Sequence, residues 1–91
     1  PLYYLYALKA ALVKIDTQDL SLEKEGRAQL ASLASQGSNP LRTMAQFYSA
    51  LDADTQGDRT RAVSLYKEII AHSKKDSYWY QLADAKLSAG D

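Results

Sequence analysis

The side chains that could do chemistry in this chain are few and scattered. His72 is the only histidine and there is no cysteine. A zinc set and a thiolate nucleophile therefore both lack their ligands or their sulfur. His72 falls at the end of a helical pattern beside Lys74 and Lys75, where the ordinary role is a solvated helix end. Asp52 and Asp54 flank Ala53. Two residues apart on a helix, their carboxylates point in different directions and form no facing pair for general acid–base work. No serine sits in a Gly-x-Ser-x-Gly setting that would expose a nucleophile. The four glycines are dispersed and build no phosphate-cradling loop. The residues thus indicate no catalytic, cofactor or metal site, and the chain reads as non-enzymatic.

Composition narrows the remaining classes. Hydrophobic residues make up 46% and charged residues 24% of the 91, ordinary for a globular chain. Eleven basic and eleven acidic residues cancel, so the electrostatic footprint of a nucleic-acid binder is missing. No apolar run approaches the ~20 residues that span a bilayer. The opening Pro1-Leu2-Tyr3-Tyr4-Leu5-Tyr6-Ala7-Leu8 carries no basic leader and is no secretory signal as it stands. The start at proline and the abrupt end lead us to expect a piece of a longer or processed chain.

The elements that would position any site are helices. Leu5, Leu8, Leu12 and Ile15 recur at spacings of three, four and three, which predicts a helix over Leu2–Ile15. Asp16-Thr17-Gln18-Asp19 offers a turn and an N-cap. A second helix is predicted over Leu20–Gln36, with Leu22, Leu30, Leu33 and Ala34 on one side. Gly26 inside it costs about 1 kcal/mol relative to alanine, tolerable where another helix passes close or this one bends. Gly37-Ser38-Asn39-Pro40 punctuates the chain as C-cap, N-cap and first helical position. A third helix follows over Pro40–Gln56, with Leu41, Met44, Ala45, Tyr48, Leu51 and Ala53 as its core face. A fourth spans Arg59–Ser73 with Ala62, Val63, Tyr66, Ile69 and Ile70, and a fifth, capped by Asp76, spans Ser77–Ala89. Tyr48 and Tyr66 are expected to fill the space between helices three and four. Strand signals are missing, and loops this short favour antiparallel neighbours.

An internal repeat appears when FYSALDADTQGD (47–58) is laid on YQLADAKLSAGD (80–91). Ala50 aligns with Ala83 and Gly57 with Gly90, 33 residues apart. This is close to the ~34-residue period of helix-turn-helix solenoids. Trp79-x2-Leu82-Ala83 and Ala62-x3-Tyr66 resemble the first- and second-helix signatures of tetratricopeptide repeats. Lys86 stands where that family has an aromatic, Gln46 and Ser49 stand where the fifth helix has Trp79 and Leu82, and the proline expected after the second helix is missing. The resemblance covers about residues 43–91. It implies an all-α fold of antiparallel helical hairpins stacked as a short right-handed solenoid of about five helices. The single domain expected over residues 1–91 comprises a degenerate hairpin (1–37), a repeat-like hairpin (40–75) and a final unpaired or capping helix (76–91). Ala50, Gly57, Ala62, Tyr66, Trp79, Leu82, Ala83 and Gly90 would be its packing residues.

The resemblance also implies a function. First helices of such repeats line a concave surface, which would put Phe47, Leu51, Tyr80 and Asp84 on a groove for a protein or peptide partner carrying apolar groups and a cation. The alternative is that Phe47 and Tyr80 pack on one another. These groove residues lack the lysine and asparagine with which some relatives grip a C-terminal carboxylate. More narrowly, LASLASQGSNPLRTMAQFYSAL (30–51) and AVSLYKEII (62–70) resemble the tetratricopeptide-like domain of the ancillary subunit of the bacterial SecYEG translocon and its relatives. That likeness implies an export or chaperone-contact factor on the periplasmic side of the inner membrane; without it the cytoplasm is the expectation. The competing reading is a homodimer formed by the fifth helix and the N-terminal tyrosines, because Tyr3, Tyr4 and Tyr6 cannot all face inward.

Overall fold

The computed structural model describes residues 2–37 and 40–89. The expectations placed on Asn39, Gly90 and Asp91 lie outside them. The protein is all-α: α1 (Leu2–Ile15), α2 (Leu20–Ser35), α3 (Arg42–Thr55), α4 (Arg59–His72) and α5 (Tyr78–Ala89), with no strand among the described residues. It divides into two compact units, Pro1–Ala45 and Gln46–Asp91.

The first unit is a helical hairpin of α1 and α2. Gln18 takes a left-handed φ of 64° and Thr17 Oγ1 donates to the Lys14 carbonyl at 2.8 Å, which closes α1. Asp19 then caps α2, its carboxylate accepting from the N–H groups of Ser21 (2.9 Å) and Leu22 (3.2 Å). Leu8, Ala11, Gly26, Leu30 and Leu33 are buried. Gly26 is where the two helices touch: a Cβ there would lie 2.7 Å from the Ala11 carbonyl oxygen and 2.8 Å from Lys14 Cβ. Close approach, not a bend, is therefore its role. Beside this contact Lys14 Nζ donates to Glu25 (3.0 Å) and Gln29 (3.1 Å). Leu22, expected on the packed face, is 37% exposed. Gly26 already meets the last turn of α1, so Leu22, one turn earlier, overhangs the loop.

The second unit holds the rest of α3, with α4 and α5. Phe47, Ala50, Ala53, Ala62, Tyr66, Ile69 and Ala83 form its core, and Leu51, Leu65, Ile70, Trp79, Leu82 and Leu87 pack against it. Full burial of Ile69 contributes roughly 1.5–3 kcal/mol. Gly57 does two jobs in the α3–α4 turn. Its φ of 84° lets its own N–H reach the Asp54 carbonyl (3.1 Å) while the Asp58 N–H reaches that of Ala53 (2.9 Å). This double closure satisfies the last carbonyls of α3. Asp58 at once caps α4, accepting from the Arg61 N–H at 3.1 Å.

Several boundaries differ from expectation for local reasons. The helical bonding of α3 starts at the Leu41 carbonyl, which accepts from Ala45 at 2.9 Å, so Pro40 and Leu41 form a turn before the helix. α2 ends at Ser35 with Gln36 as its C-cap. Ser77, not Asp76, caps α5: its hydroxyl accepts from the Tyr80 N–H at 3.2 Å. The buried side of α3 also differs. Ala45, Gln46, Phe47, Ser49, Ala50 and Ala53 are buried, whereas Leu41, Met44, Tyr48 and Leu51 are only half-buried. At 100° per residue that set covers more than half the helix circumference, which a single-stripe reading could not anticipate.

Candidate protein-interaction site

The four residues expected to line a groove fall in different environments. Phe47 is 6% exposed. Its ring sits 5.8 Å from that of Tyr66, 5.4 Å from Trp79 and 6.3 Å from Tyr48, so it is a core residue with no free face. Leu51 is half-buried against the same core. Tyr80 is half-buried and Asp84 exposed. Of the expected set, only Asp84 is exposed, and Leu51 and Tyr80 keep part of their surface. The aromatic that meets Phe47 is Trp79 rather than Tyr80.

Of the residues expected to pack the repeat, Gly57 is exposed in the α3–α4 turn with open space around it. Ala50, Ala62, Tyr66 and Ala83 are each 0% exposed, and Trp79 and Leu82 lie against them. The small side chains allow close packing and Tyr66 fills the space between. Tyr48, expected to share that space, is half-buried. The Tyr66 hydroxyl is buried without a hydrogen-bond partner. Burial raises its pKa, the Asp54 carboxylate raises it further, and the Arg59 guanidinium opposes both. Arg59 pairs with Asp54 at 2.8 Å and donates to the Lys86 carbonyl in the last turn of α5 at 2.9 Å. Asp54 is thus occupied by Arg59, while Asp52 accepts from Gln56 at 2.7 Å, so the two carboxylates serve separate structural ends. His72 is exposed at the end of α4. No group of three or more His, Cys, Asp or Glu among the described residues could hold a metal ion.

A second surface lies in the first unit. Tyr3, Ala7, Ala10 and Lys14 of α1 face Gln29, Ser32, Leu33 and Gln36 of α2 across a cleft of ≈ 240 Å³. One wall is mostly apolar and small; the other presents amides and a hydroxyl. Around α1 from this cleft, Tyr3, Tyr6 and Val13 are 74%, 66% and 64% exposed. α1 is therefore apolar on two opposite sides, only one of them covered by α2. The signal for the second side was present in the sequence: Tyr3, Tyr6, Ala10 and Val13 repeat the three-four-three spacing of Leu5, Leu8, Leu12 and Ile15. No helix among the described residues is long and apolar enough to cross a membrane. Compared with family models, curated proteins and solved structures, the chain gives no match.

Proposed function

We propose that this chain is a non-enzymatic protein-interaction module of tetratricopeptide type, its hairpins read as a short right-handed solenoid. Its binding site is the α1–α2 cleft. The observation that carries the reading is the pairing of walls: Ala7 and Ala10 leave room for an apolar ridge beside the polar Gln29, Ser32 and Gln36, where Gln29 accepts from Lys14 and Gln36 donates to Ser32, leaving the Gln29 amide N–H groups for a partner. Such a groove suits an amphipathic helical segment of another protein. Tyr80 and Asp84 remain a secondary contact on α5. The narrower reading, an ancillary factor of protein export in the bacterial envelope, draws on sequence resemblance alone.

Ser32 is exposed and lines the cleft, so Ser32→Trp fills the groove without disturbing the core. Amphipathic helical peptides of about four turns would be selected by display against the parent chain. Selected peptides are expected to perturb the amide signals of Ala7, Ala10, Gln29 and Gln36 and to lose at least about tenfold in affinity on Ser32→Trp. Equal binding to both chains would refute the cleft as the site.

A further inference from the structure

We propose that two copies of this chain pair, antiparallel and about a two-fold axis, through the outer face of α1. This goes beyond the cleft reading. The cleft uses Ala7 and Lys14, the pairing uses Tyr6 and Val13, and Tyr3 and Ala10 border both.

α1 carries little charge. Its only charged residues are Lys9 and Lys14, and Lys14 is engaged by Glu25 and Gln29. The remaining surface is a stripe of Tyr3, Tyr6, Ala10 and Val13, all four exposed. A helix apolar on both sides is ordinarily enclosed on both sides. The stripe also says what would enclose it. Its spacing is symmetric about position 8, so reversing a second α1 sets Tyr6 over Ala10 and Tyr3 over Val13. Each ring then meets a smaller side chain, as packing into grooves requires, and the hydroxyls reach the wet rim. The same reversal sets Lys9 of both copies on one edge of the pair, where the ammonium groups stay in water. A parallel pair would instead stack Tyr6 on Tyr6 and leave a gap at Ala10. Self-complementarity of this kind is what a two-fold interface demands.

The area supports a weak dimer. At about 200 Å² for each tyrosine, the exposed fractions of Tyr3 and Tyr6 give roughly 280 Å². Val13, Ala10 and the Lys9 stem bring this to roughly 500 Å² per chain. The pair would bury about 1,000 Å², the lower end of specific interfaces, which places dissociation in the micromolar range or above.

The test is sedimentation of the whole chain from about 5 to 500 µM. The weight-average mass should climb from the 10.1 kDa of the monomer towards twice that value. Tyr6→Glu with Val13→Glu should raise the midpoint at least tenfold with helicity unchanged, since both side chains are exposed. Because the chain has no cysteine, orientation can be read by mixing a Tyr6→Cys chain with an Ala10→Cys chain: the mixed disulfide should form faster than either homodisulfide. Ser32→Trp should leave the dimer intact, which separates this interface from the cleft. A mass fixed at the monomer, a dimer indifferent to Tyr6→Glu and Val13→Glu, or homodisulfides as fast as the mixed one would each overturn the proposal. Loss of the dimer on Ser32→Trp would also overturn it, by placing the second copy in the cleft. Peptide capture with no dimer would leave the cleft reading standing and this one refuted.

Discussion

Replacing each of three glycines by alanine should give three different results, and at Gly26 packing opposes helix propensity. Helix propensity alone favours Gly26→Ala by about 1 kcal/mol, since the residue is deep inside α2. Packing opposes it. The new methyl would stand 2.7 Å from the Ala11 carbonyl oxygen, 2.8 Å from Lys14 Cβ and 3.1 Å from Ile15 Cγ1. Carbon contacts are comfortable near 3.5–4.0 Å, so α1 and α2 must separate by most of an ångström. The nearest obstacle is backbone, which cannot swing away as a side-chain tip could. Overpacking of this kind costs about 1–3 kcal/mol, and with two contacts well inside 3 Å the upper end applies. The net expectation is destabilisation of about 2 kcal/mol after the propensity gain is subtracted. Gly57→Ala meets open space but must hold a φ of 84°, at a cost of about 1–2 kcal/mol. Gly37→Ala meets nothing within 4 Å and no left-handed backbone, so it should be neutral or stabilising by up to about 1 kcal/mol. Urea denaturation followed by circular dichroism gives the free energies. Amide exchange along α1 and α2 then localises the Gly26 effect to the first unit. A Gly26→Ala chain more stable than the parent would refute the close-contact assignment and return Gly26 to a simple propensity defect.

Two further predictions concern the second unit. Tyr66 holds its proton more tightly folded than unfolded, chiefly through burial. Between its unfolded pKa of about 10 and the raised folded value, the native state binds more protons, so stability should fall as pH rises through that window. Tyr66→Phe should flatten this alkaline loss and, by removing a buried unpaired hydroxyl, stabilise by about 1 kcal/mol at neutral pH; Trp79 fluorescence during unfolding reads both, and a destabilised Phe variant would show that the hydroxyl has a partner. Arg59→Gln removes a half-exposed ion pair with Asp54 and a hydrogen bond to the Lys86 carbonyl, and should cost about 1 kcal/mol. Faster amide exchange confined to the last turn of α5 is the expected signature, and unchanged exchange there would contradict the capping role.

The sequence by itself determined the helices and their order, because helix periodicity and cap chemistry are local. The stripe of Leu8 and Ile15 and the Asp19 cap each act within a few residues, and the observed ends of all five helices fall within two residues of those expected. The aligned Ala50 and Ala83 are both fully buried in the second unit, as small side chains are where helices come close. The tertiary structure decided which surface is free. Phe47 reads as one residue of a first-helix stripe, but the three rings around it take its whole face. The number of neighbours a helix acquires is a non-local quantity that no spacing along its own sequence encodes. The same reason applies in reverse to α1. Its two apolar stripes have identical spacing, and only the placement of α2, brought close at Gly26, settles that Leu8 and Ala11 go inside while Tyr3, Tyr6 and Val13 stay out.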